Sequence, residues 1–195
     1  MPIRNFNSLL RWLHLYLSMF GFAALFFFAF TGITLNHPGW TEGKQKISSY
    51  SGTIDQSLIS VDNSAPADTV KISELIRKNH QIRGRVTDFR IDETECSISF
   101  TGPGYRADVF IDRSSGSYEV TATSAGFVTA LNDLHKGRDT GPGWSRVMDI
   151  SAIIMMIVSI TGFLMIFYIC RKKKPGLIVA IIGALTFIAL CILLN

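Results

Sequence analysis

The sequence is short of the residues that build disulfide frameworks, covalent haem sites and nucleotide pockets. It has three cysteines in 195 residues. Cys96 stands alone in the polar middle of the chain, while Cys170 and Cys191 fall in apolar runs, so the middle region cannot form an intrachain bridge. Cys96 reads as a small buried residue. No C-x-x-C-H motif occurs, which excludes covalent haem attachment by that route. No G-x-G-x-x-G occurs, so NAD(P)H or a flavin is not expected to bind this chain. Carboxylates are missing from both ends, since all 15 lie within residues 36–149.

Charge is also missing from three long stretches. Residues 13–35 hold no Asp, Glu, Lys or Arg, residues 147–169 hold only Asp149, and residues 176–195 hold none. About 20 helical residues cross a hydrocarbon core of about 30 Å, so each stretch predicts a membrane helix. The first is longer than the 7–15 apolar residues (roughly) of a signal peptide, and no A-x-A-like site follows it. It is expected to stay as an anchor. The fold class is therefore an α-helical integral membrane protein with three transmembrane helices and a small α+β domain between the first and second. The expected segments are an N-terminus (1–12), helix one (13–36), the domain with its connectors (37–146), helix two (147–169), a basic loop (170–175) and helix three (176–195).

Six basic residues lie outside the middle region: Arg4 and Arg11 before the first run, and Arg171, Lys172, Lys173 and Lys174 between the second and third. No carboxylate accompanies them. The positive-inside rule makes these segments cytoplasmic and puts the large domain and the C-terminus on the outer side of the membrane. The pI near 9.1 thus reflects topology and membrane lipid, and no nucleic-acid partner is expected.

Between the first two runs the pattern is that of a small mixed domain. VKISELIRKN (70–79) has apolar residues at 72, 75 and 76, the spacing of a short amphipathic helix. VTDFRI, CSISF, YRADVFI and SYEVTA alternate apolar and polar residues, and turn-like DETE, TGPG and DRSSG separate them. A four-stranded meander against one helix is expected. A further helix is expected over 124–134, with Phe127, Val128, Leu131 and Leu134 on one face. Asp92, Glu93 and Glu95 read as solvated turn carboxylates, and His80 as a surface histidine.

The remaining histidines flank the membrane. His14 lies about one turn inside the first run, where an ionisable side chain is costly and points to function. His14, Ser18, Gly21, Leu25, Phe28 and Gly32 form one stripe, whose small residues allow a helix or a flat cofactor to come close. His37 is 23 residues further on, about 34 Å of helix, so the two cannot share one ligand. Pro38 disfavours helical geometry at His37 and places it at a helix exit. His135 precedes the second run on the same side as His37. Axial haem ligation is one use for such imidazoles. A metal-ion site with Glu42, Asp133 and Asp139 is another, and histidines are also ordinary at interfaces. Lys136 and Arg138 suit haem propionates.

RWLHLYLSMFGFAALFFFAFTGITLNH and LNDLHKGRDTGPGWSRVMDISAIIMMIVSITGFLMIF resemble the two conserved segments of the PepSY-associated transmembrane helix family. Each carries a histidine before or within an apolar run that ends in Thr-Gly, and the intervening region resembles the PepSY helix-plus-strands module. That family includes inner-membrane ferric and ferric-siderophore reductases that carry haem on membrane histidines. The resemblance implies a haem-b-dependent ferric reductase, with His14, His37 and His135 as cofactor-binding, iron-ligating candidates. Electrons from a separate donor, quinol or a flavin reductase, would pass to periplasmic Fe(III) and supply Fe(II) to a ferrous iron transporter. Larger members have more spans and more histidines, so the unpaired inner His14 implies a homodimer. Two readings stand beside this one. The first is a non-enzymatic envelope protein whose PepSY-like domain binds a peptide or protease. The second is a histidine-based metal-binding or delivery subunit.

Overall fold

Alternation of apolar and polar residues brings the middle of the chain together as an antiparallel sheet. A computed structural model of the chain describes residues 6–40, 45–59, 69–168 and 173–194. Arg4, Glu42, Cys170, Arg171 and Lys172 lie outside the described residues. The chain divides into two compact units, residues 28–146 and residues 1–27 with 147–195.

The first unit holds the sheet. Its strands are β1 (Lys46–Thr53), β2 (Arg85–Ile91), β3 (Glu95–Gly102), β4 (Tyr105–Asp112) and β5 (Ser117–Ser124), in the order β1-β5-β4-β3-β2. All neighbours are antiparallel. One face is apolar: Cys96, Ile98 and Phe100 on β3, Ala107, Val109 and Ile111 on β4, and Val120 on β5 are all at most 1% exposed. Ile72 and Ile76 of α2 (Thr69–His80) seal that face, as the helical spacing predicts. Cys96 is a core residue, and burial pushes its thiol up.

Two features differ from the sequence reading. The sheet has five strands, because KISSYSGT pairs along the whole of β5. Its serines hide the alternation that marks the others. The helix α3 (Phe127–Lys136) begins three residues later than expected. It ends on Gly137, which takes the left-handed conformation (φ 67°) and donates its amide back to Leu134. That places His135 in its last turn.

The second unit is helical. α1 (Phe6–Leu35), α4 (Pro142–Tyr168) and α5 (Lys173–Leu193) are 30, 27 and 21 residues long and apolar enough to cross a membrane. The chain is thus a membrane protein with three spanning helices and a sheet domain between the first two, in contact with lipid. Within this unit α1 and α4 run antiparallel. Phe6 stacks near Tyr168, His14 meets Thr161, and Gly21 meets Ile154, so residue numbers fall on α4 as they rise on α1. A Cβ at Gly21 would lie 3.0 Å from the Ile154 side chain, whereas Gly32 faces open space. The small-residue stripe therefore packs a helix at one position and nothing at the other. On α5, Gly176 packs against Ile166 while Gly183 is open.

Candidate functional site

His14 is held by α4. Its Nδ1 lies 3.2 Å from the Val158 carbonyl and 3.0 Å from Thr161 Oγ1. The Thr161 hydroxyl sends its own proton to the carbonyls of Ile157 or Val158, at 2.8 and 3.0 Å. A carbonyl only accepts, so His14 Nδ1 must be the donor. In the neutral ring the lone pair then sits on Nε2, the nitrogen available to a metal. Gly162 makes room for this ring, because a Cβ there would stand 3.0 Å from His14 Cε1. Thr161 is 4% exposed. Beside Val158 an apolar crevice of about 250 Å³ opens between Ser18, Gly21 and Leu25 of α1 and Ile154, Met155 and Val158 of α4.

In the other unit, α3 runs antiparallel to the end of α1. His135 Nδ1 lies 2.5 Å from Thr31 Oγ1, and the Thr34 hydroxyl donates to Asn132 Oδ1 at 2.6 Å. Thr31 and Thr34 are 0% and 3% exposed. The Thr31 hydroxyl also reaches the Phe28 carbonyl, at 3.3 Å. The Phe28 ring packs edge-on against His135 at 5.1 Å. Trp144 Nε1 donates to the Leu134 carbonyl at 2.8 Å, and Gly104 donates its amide to Asp133 Oδ2 at 2.9 Å. The start of α4 and the β3–β4 turn thus brace α3 on either side of His135.

His37 stands just past α1, as Pro38 requires, and is exposed. Its Nδ1 donates to the Ile33 carbonyl at 3.1 Å, and its ring lies 4.6 Å from that of Trp40. His37 and His135 therefore take different partners. Among the described residues no three of His, Cys, Asp and Glu converge on one point. Of the carboxylates near these histidines, Asp133 accepts the Gly104 amide through Oδ2, and Glu42 lies outside the described residues. Lys136 and Arg138 are exposed.

His80 is not the free surface residue expected. It is half-buried, with Nε2 2.8 Å from Tyr118 Oη and its ring stacked on Tyr50 at 5.1 Å. Its bonded nitrogen is the opposite one from that of the other three histidines. The residues that sequence reasoning left without a role are Thr31 and Thr161. Their signal was the Thr-Gly pair in each apolar run, visible as a pattern but silent about its partner over a hundred residues away.

In His14, His37 and His135 the nitrogen bonded to protein oxygen is Nδ1. No curated protein and no solved structure matches the chain. A family match runs from residue 8 to residue 194, spanning all three membrane helices and the sheet domain, and by it the chain belongs to the PepSY_TM-like family.

Proposed function

We propose that this chain is a haem-b-dependent ferric reductase of a bacterial inner membrane. Its N-terminus is cytoplasmic, its sheet domain periplasmic, and its product Fe(II) feeds a ferrous iron transporter. The observation that carries the reading is the anchoring of His14. An imidazole inside a membrane helix, fixed through Nδ1 by a buried threonine and a carbonyl, keeps Nε2 as a neutral ligand. Gly162, which leaves space for the ring within the helix pair, supports a placed histidine rather than one that snorkels to the interface.

Bound at such histidines, haem would supply a one-electron relay. The chain's own part is to hold ligands and exclude side reactions. Thr161 and Val158 orient His14, Thr31 orients His135, and Ile33 orients His37. Gly21, Leu25 and Ile154 wall the apolar crevice beside Val158, the residue whose carbonyl meets His14. Each Fe(III) takes up one electron to become Fe(II), so a quinol donor, giving two electrons and two protons, serves two ions. A flavin reductase is the other class of donor. The single His14 is completed by a second copy in a homodimer whose axis passes beside α1.

Protein purified from haem-replete cells is expected to show a Soret band that shifts and sharpens on dithionite reduction; a colourless protein would sink the reading. His14→Ala is expected to lose the low-spin spectrum. In proteoliposomes charged with a quinol, the wild type should form Fe(II) trapped by ferrozine, and His14→Ala should not.

A further inference from the structure

The edge strand β1 turns an unsuitable face toward the core. In register with β5, β1 presents Ser48, Tyr50 and Gly52 opposite the buried Ala122, Val120 and Tyr118, and Lys46 opposite the exposed Ser124. α2 stops at His80, short of covering this strand. A cleft of about 270 Å³ remains, lined among others by Lys46, Ser48, Tyr50, His80, Arg83 and Tyr105. Among the described residues no carboxylate lines it, although residues 36–149 hold 15 carboxylates against 13 basic residues.

The wall of this cleft is built rather than accidental. His80 stacks on Tyr50 with an interplanar angle of 24° and is bonded to Tyr118. Tyr118 reaches that position because residue 52 is glycine; a Cβ there would lie 2.5 Å from Tyr118 Oη. Lys46 and Arg83, both exposed, are the cleft's cationic lining residues. The negative carbonyl end of α2 opposes an anion, but Arg77 and Lys78 lie in that last turn and offset it.

We propose that this cleft binds a small multivalent oxyanion, a di- or tricarboxylate or a phosphate. Arg83 presents a planar fork to paired oxygens and Lys46 a point charge. The hydroxyls of Ser48, Tyr50 and Ser124 supply neutral donors, and two charge-assisted contacts fix the ligand. The site is independent of the histidines assigned to haem.

Equilibrium dialysis of the full chain in detergent at low salt, with radiolabelled citrate in one arm and inorganic phosphate in the other, tests this. One saturable site is expected in at least one arm, and the arm identifies the carboxylate or phosphate class. Lys46→Gln and Arg83→Gln should each weaken binding about fivefold or more, and the double variant more than about twentyfold. Lys136→Gln, a basic residue outside the cleft, should leave it unchanged. The ligand should also slow carbethoxylation of His80, read by peptide mass spectrometry. Saturation in neither arm, or equal affinity in the double variant with an unchanged circular dichroism spectrum, overturns the proposal.

Discussion

The sheet domain and the membrane helices bury opposite kinds of residue. Beneath the sheet the fully enclosed side chains are Phe100, Ile98, Val109, Ile111 and their like. Along α1 the buried positions are Leu10, Gly21, Thr31 and Thr34, and along α4 only Thr161. The phenylalanines of α1 are mostly left outside: Phe20, Phe22 and Phe26 are 75%, 63% and 65% exposed. In water an apolar interior provides the driving force. In lipid it provides none, and helices associate through close packing and hydrogen bonds. The polar residues of a membrane helix are therefore where its contacts are specified: Thr161 holds His14, Thr31 meets His135, and Thr34 bonds Asn132.

This contrast can be broken in order of expected effect. Phe100→Ala should empty the centre of the sheet core and cost about 3–5 kcal/mol, read as a lower melting temperature of the domain by near-ultraviolet circular dichroism. Val109→Thr keeps the shape and adds a hydroxyl with no partner. It should cost about 1–3 kcal/mol by the same measurement. Thr161→Val is the same swap reversed, in the membrane unit. If lipid inverts the rule it too destabilises, by about 0.6–1.7 kcal/mol. It should also weaken haem retention while the domain's melt stays put; a neutral or stabilising result would remove Thr161 as the anchor.

The smallest effect concerns pH. Burial pushes the Asp108 carboxyl up, but hydrogen bonds from Arg106 and Ser99 outweigh it and hold it below the ordinary value of 3.8. Its stabilising contribution is therefore complete above that value and lost as pH falls through the lower folded one. Asp108 and Arg106 are partly exposed, so the effect is under about 1 kcal/mol. Asp108→Asn should flatten the acid limb of the domain's stability curve and lower its stability at pH 7 by that same amount, under about 1 kcal/mol.

Legibility followed the range of the signal. Hydropathy over 20 residues marks α1, α4 and α5, and alternation over six marks β2 to β5. β1 escaped because Ile47 is the lone aliphatic residue in KISSYSGT, and its pairing is dictated by β5 rather than by itself. Pro38 announced the exit at His37 from its own backbone restriction. Nothing local could announce that His14 belongs to Thr161, or His135 to Thr31, since neither partner's type or spacing names the other. His80 looked solvated for the same reason, because Tyr50 and Tyr118 arrive from strands 30 and 38 residues away.

The bond between His14 and Thr161 joins residues 147 positions apart. At roughly 5–20 residues per second, translation takes about 7–30 s to cover that distance. Throughout that interval α1 is already made and its imidazole has no Thr161 to meet. His14 acquires its Thr161 and Val158 partners only when α4 is inserted, so this anchor forms late in synthesis although it stands near the beginning of the chain. Chains halted after residue 140 would carry the first helix and the whole sheet domain yet leave the His14 ring without the α4 residues that fix it.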